Sequence, residues 1–470
     1  MSTSVLDEFS GVEFNDARLT KRLCKVAELF GDQPNKSFPA AAAGGRADLE
    51  GAYRFVNNSK VDPDKILSKH RQKTLERINE SHSQLIVIKQ DTSKCDLTRP
   101  SQQVAGAGFL GGKLKRGIFL HPLMASTLER VPLGIVGQQN YVRKEISELP
   151  KKEKQKQRSS KPIEQKESHR WLLGLRQARE VARECPDKTC VLVQDSEADI
   201  NELLCEDRHL PEGGQLHLIV RGGQDRATSE GKLIDVLRKE PSRFERFIEV
   251  SGRKPKVACT VHKREQARKP RKAKVEVRSR CVELCPSRGS ARPSYNVVLV
   301  EETDPPQGAE PIRWVLITSL PIDTAEQVQQ VIEAYCVRWQ IEIFFRVLKT
   351  GCRIEKRHFE NIDAIENVIA LFMVIAWRVM YLSMLGRSCP ELSCELFFED
   401  YEWWSVYRVL NIPIPDTPPS LGEVVRTIAM LGGFINHAKN EPGPETLWKG
   451  IQVAFNYGSA WLAFGPEKPN

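Results

Sequence analysis

The stretch Tyr335–Arg357, YCVRWQIEIFFRVLKTGCRIEKR, sets a tyrosine, arginines, a lysine and a lone early glutamate into an otherwise ordinary amphipathic pattern. On a helix turning about 100° per residue, Val337, Ile341, Phe344 and Leu348 form one apolar stripe. Tyr335, Arg338, Glu342, Arg346 and Lys349 fall within an arc of roughly 80° on the other side, with Trp339 beside them. A solvated face with i,i+4 ion pairs, Arg338 to Glu342 and Glu342 to Arg346, would satisfy that spacing. An outward tryptophan and cations on both sides of a single carboxylate suit a metal ligand in a phosphate-binding groove better. One helix over the whole set is predicted.

Two further acids share a setting. Asp91 ends the apolar run SQLIVIKQD, and Asp195 ends TCVLVQD directly before a helical pattern. Either could be a turn residue or a helix cap. In an α/β sheet, however, catalytic groups gather beyond the carboxyl ends of strands. Together with Glu342 these acids form a set able to hold two divalent ions for in-line phosphoryl transfer.

The rest of the chain frames that core. At 470 residues, several domains are expected. Lys and Arg number 70 against 61 Asp and Glu, and the net charge of +9 favours an anionic partner. The first ~60 residues read as a helical module, with Asn15 capping a helix whose buried stripe is Leu19, Leu23, Val26 and Leu29. Its opposite side, Arg18, Lys21, Arg22 and Lys25, suits phosphates. Strand–helix alternation then implies an α/β sheet, interrupted by a Lys/Gln-rich loop at Lys151–Ser168. Short β segments at about 214–320 read as an inserted β region, in which Arg253–Arg280 forms a basic ribbon. The end of the chain is helical and aromatic and reads as a packing or association module.

Twelve cysteines without histidines at zinc-finger spacing, behind a start that lacks a signal peptide, predict reduced thiols and a cytoplasmic protein. The apolar run Val368–Trp377 is too short to span a bilayer and predicts a buried helix, with no membrane association.

YCVRWQIEIFFRVLK matches, residue for residue, the Y-x-x-R-x-x-x-E-x-x-x-x-x-x-K signature, and on it the chain resembles the bacterial DDE transposases of insertion-sequence family four. EGAYRFVNN, VIKQDTS, KESHRW, VQDSEADI, IRWVLITS and MLGGF…LWKG extend the resemblance over almost the whole chain in order. It implies an α/β fold with a ribonuclease-H-like catalytic core (63–386) carrying a β-rich insertion at about 214–320. A helical DNA-binding domain (1–62) and a helical dimerisation domain (387–470) would flank it.

By resemblance, Asp91, Asp195 and Glu342 bind two Mg²⁺ ions, with Mn²⁺ able to substitute. Water cuts one strand at the transposon end, the freed 3′-hydroxyl attacks the opposite strand to give a hairpin, and the reopened end joins target DNA. Tyr335, Arg338, Arg346 and Lys349 hold phosphates, and Trp314 with its neighbour Trp339 stacks a displaced base. Arg221 and Arg226 hold the hairpin end, and Arg18 and Arg22 read the terminal inverted repeat. The expected partners are double-stranded DNA, at the transposon ends and at the target, and a second copy of the chain in a synaptic complex. The rivals are a catalytically inactive DNA-binding regulator or inhibitor of transposition and a nuclease without strand transfer.

Overall fold

The computed structural model describes residues 5–31, 34–42, 45–145, 149–210, 213–250, 269–285, 291–437 and 440–466. The chain opens with a 3₁₀ turn, Val5–Glu8, and helices α1 (Ala17–Gly31), α2 (Phe38–Ala41) and α3 (Arg46–Val56). α1 begins later than an Asn15 cap predicts. Asn15 takes a left-handed φ of 58°, and the Asp16 carboxylate accepts the Arg18 backbone N–H at 3.0 Å. The buried face is Leu23, Val26, Ala27 and Phe30, with Leu19 and Leu29 at its margin. Arg18, Lys21 and Lys25 are exposed. Arg22 instead lies across α3, where a Cβ on Gly51 would stand 2.4 Å from its guanidinium carbon. Glycine at 51 therefore lets the two helices close, and Asp48 pairs with Arg22 at 3.4 Å.

Helix α4 (Pro63–Glu80), capped by Asp62, leads into the sheet. The strands that follow are β1 (Leu85–Gln90), β2 (Ser93–Asp96), β3 (Gly108–Phe109), β4 (Arg116–Leu120), β5 (Pro122–Thr127) and β6 (Pro132–Gln138), of which β2, β4 and β3 make a small sheet of their own. Helices α5 (Lys151–Ser160) and α6 (His169–Glu184) precede β7 (Thr189–Gln194), α7 (Asn201–Cys205) and β8 (Gln215–Arg221). β1 pairs antiparallel with β5 and parallel with β7, β5 pairs antiparallel with β6, and β7 parallel with β8. The order β6-β5-β1-β7-β8, three strands antiparallel and then two parallel, is the ribonuclease-H arrangement. β1 is buried along its whole length, as a central strand covered on both faces must be.

Two expectations need correction here. The Lys/Gln-rich segment expected as a loop is helical over Lys151–Ser160, consistent with the high helix propensity of Lys, Gln and Glu. The β-rich insertion begins later than about 214. β8 belongs to the core sheet, and after a small hairpin, β9 (Ala227–Thr228) and β10 (Gly231–Lys232), and helix α8 (Leu233–Arg238), the strands return to that sheet. β11 (Phe244–Val250), β12 (Arg271–Glu283), β13 (Ser294–Glu302) and β14 (Arg313–Thr318) extend it to nine strands, because β14 pairs with the free edge of β8. Much of the basic ribbon, 251–268, lies outside the described residues. On β12, Arg271, Lys274 and Arg278 pair with Glu302, Glu245 and Glu276, and Arg280 with Glu230 and Glu240.

The predicted single helix through Tyr335–Lys349 is broken. α9 (Ala325–Val337) and α10 (Gln340–Arg346) meet at Arg338–Trp339, and a π turn follows at Val347–Gly351. Across the joint the backbone bonds run three residues back, from Arg338 N–H to Tyr335, Trp339 to Cys336, Ile341 to Arg338 and Glu342 to Trp339. That overwinding, and the underwinding of the π turn, abolish a uniform wheel. The apolar stripe survives: Val337, Ile341, Phe344 and Leu348 are all buried.

Helix α11 (Ile362–Ser388) carries the run Val368–Trp377, and α12 (Asp400–Val409), α13 (Leu421–Leu431) and α14 (Pro444–Phe464) close the chain. Among the described residues α11 is long and apolar enough to cross a membrane, but 83% of its most apolar window is buried in the protein. It runs through one core that also contains Phe30 and Phe55 of the N-terminal helices, Phe344 of α10 and Trp403 and Leu447 of the C-terminal helices. Arg357 ties the N-terminal loop down. Its guanidinium donates to the carbonyls of Pro34, Lys36 and Cys352 and sits 4.3 Å from the Phe372 ring centre. A second clasp is Glu8, buried, which accepts from His70 at 2.5 Å and Arg77 at 2.8 Å. His70 Nε2 accepts the Ile135 backbone N–H, so its Nδ1 carries the proton given to Glu8.

Candidate active site

The sheet brings the strand-end acids together. Asp91 follows β1 and Asp195 follows β7, and those strands are parallel neighbours with Lys89 opposite Val193. Asp195 caps the turn after its strand, accepting the Glu197 N–H at 2.8 Å. Glu342 arrives from above on α10, and Arg338 lies between: one terminal nitrogen is 2.5 Å from Asp91 Oδ2, the other 3.6 Å from Glu342 Oε1. Burial pushes the Asp91 carboxyl up to about 6, and the charges of Asp195 and Glu342 add to the rise against the pull of Arg338. Burial also raises Glu342, with Asp195 contributing and Arg338 and Arg346 opposing. Burial works to lower Arg338, yet the neighbouring Tyr335, Asp91, Asp195 and Glu342 hold it above the usual arginine range.

Beneath the acids lies a polar ring that sequence reasoning did not find. Gln194 donates to Gln90 Oε1 at 2.6 Å, and Gln90 meets His121 Nε2 at 2.5 Å. His121 Nδ1 lies 2.8 Å from Thr92 Oγ1. Arg170 donates to Thr92 at 3.2 Å and to Glu197 at 2.6 Å. The neighbours of Asp91 and of Asp195 are thus tied to each other at two points. The Gln90 amide must donate to Nε2, so Nδ1–H faces Thr92 and the ring is neutral; burial, with Arg170 nearby, holds it well below the usual histidine range. A Cβ on Gly174 of α6 would stand 2.1 Å from the Gln90 side chain, so glycine there makes room for the ring. A histidine in the apolar run IFLHPLM and a glycine inside HRWLLGLRQ were the available signals.

The remaining predicted residues separate. Lys349, on the π turn, donates to Ser93 Oγ at 2.6 Å, beside Asp91. Arg346 and Trp339 are exposed, Trp339 to 56%. Tyr335 is buried, its ring 5.9 Å from that of half-buried Trp314 on β14, so here it packs on the sheet. Arg221 is half-buried at the end of β8. Arg226 departs furthest from a DNA contact. Its buried guanidinium is bound to Asp199 at 2.6 Å and Asn201 at 2.5 Å, and Asp199 also accepts the backbone N–H groups of Gly223 and Gln224. This pairing pins the loop after β8 to the turn after Asp195.

Among the described residues no group of three or more His, Cys, Asp and Glu stands as a ready-made metal cage. The donor chemistry nevertheless fits a hard divalent ion. The buried Asp91 and Glu342 carboxyls, raised by burial and by the neighbouring Asp195 charge, call for a counter-cation, and Arg338 fills that place here. A Mg²⁺-type ion takes few carboxylates and completes its shell with water and phosphate oxygens.

Three family models match in succession: transposase DNA-binding over residues 1–61, the transposase DDE domain over 175–377, and the transposase Tn5 dimerisation domain over 374–462. Asp195 and Glu342 lie inside the DDE match, and Asp91 precedes it. The cryo-EM structure of a piggyBac transposase synaptic complex with hairpin DNA covers 86% of this chain at 10% identity and a TM-score of 0.33. This chain spans 58% of that one, a likeness too remote to bear on function. The succession of a DNA-binding, a DDE and a dimerisation domain is the architecture of a Tn5-type transposase.

Proposed function

We propose that this chain is a cut-and-paste DNA transposase of insertion-sequence family four, acting at terminal inverted repeats. The observation that carries the proposal is the convergence of Asp91 and Asp195 from parallel strands with Glu342 from α10 around Arg338. Asp91, Asp195 and Glu342 are the residues that would hold Mg²⁺ ions, or Mn²⁺. Two such ions would supply Lewis-acid stabilisation for in-line phosphoryl transfer.

The chain's own groups do the positioning. Arg338, Arg346 and Lys349 orient phosphates around the scissile bond, and Tyr335 supports Arg338, whose guanidinium carbon lies 5.7 Å from its ring. Exposed Trp339 offers a face for a displaced base, as a hairpin intermediate requires. Arg18, Lys21 and Lys25 on α1 present the cationic face for the inverted repeat. Exposed Tyr457, Leu462 and Phe464 on α14 form an apolar end suited to a second copy in the synaptic complex.

The test uses linear DNA carrying the element's own terminal repeats, with Mg²⁺, for the wild type and Glu342→Ala. Metal-dependent nicks at the repeat ends, then hairpins and joined products, all absent in Glu342→Ala, are expected. End-specific binding without cleavage by the wild type would instead identify an inactive regulator, and cutting without regard to sequence a nuclease.

A further inference from the structure

Lys89 interrupts the apolar run of β1 two residues before Asp91, and its side chain is completely buried. Alternation along a strand places it on the same sheet face as Asp91. Its amine donates to Ser126 Oγ on β5. Ser126 has one hydroxyl proton. Having accepted from Lys89, it donates to Gln340 Oε1 at 3.0 Å. Gln340 in turn donates through Nε2 to the Arg130 carbonyl at 2.5 Å, in the turn between β5 and β6. Ser126 and Gln340 are buried as well. Gln340 is the first residue of α10, two before Glu342.

The chain of bonds therefore starts two residues from one predicted metal ligand and reaches α10 two residues from another. It spans the gap between strand and helix that Arg338 also bridges. Burying an amine against a single hydroxyl is costly, and a methionine would fill similar space without that cost. Residues that break local rules at such expense are expected where function needs them.

We propose that Lys89, Ser126 and Gln340 form a strut that fixes the height of Glu342 over Asp91, which makes them positioning residues for the three carboxylates. The inference rests on the transposase reading. The polar ring of Gln90, His121, Thr92 and Arg170 aligns the first two acids, and the strut aligns the third with them.

The test compares wild type, Lys89→Met, Ser126→Ala and the double variant in three measurements. These are melting temperature, cleavage rate on labelled end DNA across a Mn²⁺ titration, and binding of Mn²⁺ alone followed by the loss of its free EPR signal. Lys89→Met should melt at or above the wild type, because it removes a buried amine. It should cleave about tenfold to a hundredfold slower at saturating Mn²⁺, since a displacement near 1 Å can cost about a hundredfold, and its Mn²⁺ midpoint should rise. Ser126→Ala should show the same shift, and the double variant should be no slower than the slower single. Wild-type rates and midpoints in both single variants would overturn the strut. So would losses that simply follow a lowered melting temperature at an unchanged midpoint, or losses that multiply in the double variant. If the wild type itself shows no metal-dependent cleavage, the transposase reading falls. The strut is then judged on Mn²⁺ binding alone: weaker binding in Lys89→Met supports it, and equal binding refutes it.

Discussion

Asp91→Asn should stabilise the metal-free protein at neutral pH. In the fold the Asp91 carboxyl is raised from 3.8 to about 6, chiefly by burial. A carboxyl raised by folding contributes stability that is complete below its unfolded value and is lost as pH climbs through its folded value. Two pKa units correspond to about 3 kcal/mol, lost between about pH 4 and pH 7. Its side chain is only 16% exposed, so solvent screening removes little of this. Asparagine keeps an oxygen for Arg338 and never ionises, so the variant should lack this loss. The assay is urea unfolding from pH 4 to pH 8 in a chelator, with the difference between wild type and variant as the readout. That difference should open by about 2–3 kcal/mol as pH rises, leaving in the variant the slope owed to Glu342. Adding Mg²⁺ at pH 7.5 should then stabilise the wild type by mass action and leave Asp91→Asn nearly unmoved. Parallel pH profiles would refute the claim that this carboxylate is held against its own preference. Equal Mg²⁺ stabilisation would refute its role as a ligand.

Glu8 carries the opposite sign. Its carboxyl falls from 4.5 to about 2, because His70 and Arg77 outweigh burial. Its contribution should persist above pH 4.5 and disappear as pH falls toward 2, and Glu8→Gln should cost about 3 kcal/mol in denaturant unfolding at pH 7. Charge removal on the outer face of α1, Arg18→Gln with Lys21→Gln, should weaken binding to end DNA and flatten the log affinity against log salt slope by about 1 to 2. Trp339→Ala should leave the melting temperature unchanged, since the ring is mostly exposed, while lowering hairpin yield relative to first-strand nicks on a denaturing gel. Phe464→Asp should reduce the dimeric fraction on DNA-bound sedimentation without altering binding of a single end.

The strand-end acids were legible because each closes an uninterrupted apolar run, and a buried strand leaves few positions where a carboxylate can emerge. The stripe of Val337, Ile341, Phe344 and Leu348 was legible for the same reason, since burial constrains residue type over short range. The joint at Arg338 was not. Four bonds tighten to three-residue spacing where Arg338 meets Asp91, a partner 247 positions away, and local pattern holds no trace of that pairing. Burial of Arg226 depends in the same way on Asp199 in another loop. The limits of the insertion were misjudged because β8 reads like any other short strand; only its parallel pairing with β7 assigns it to the core.

The position of α11 bears on how such a chain can be rebuilt. Three matched segments, 1–61, 175–377 and 374–462, invite the picture of interchangeable modules. Yet Phe372, on this one helix, packs 5.1 Å from the Phe30 ring, and the same helix meets Val425 of α13 through Gly386. A chimera that takes its first segment from a relative would inherit mismatched surfaces on the donor's side of a seam that no linker separates. Swaps should therefore fail as folding lesions before they can be read as changes of specificity, unless the facing residues of α11 travel with the transplanted piece.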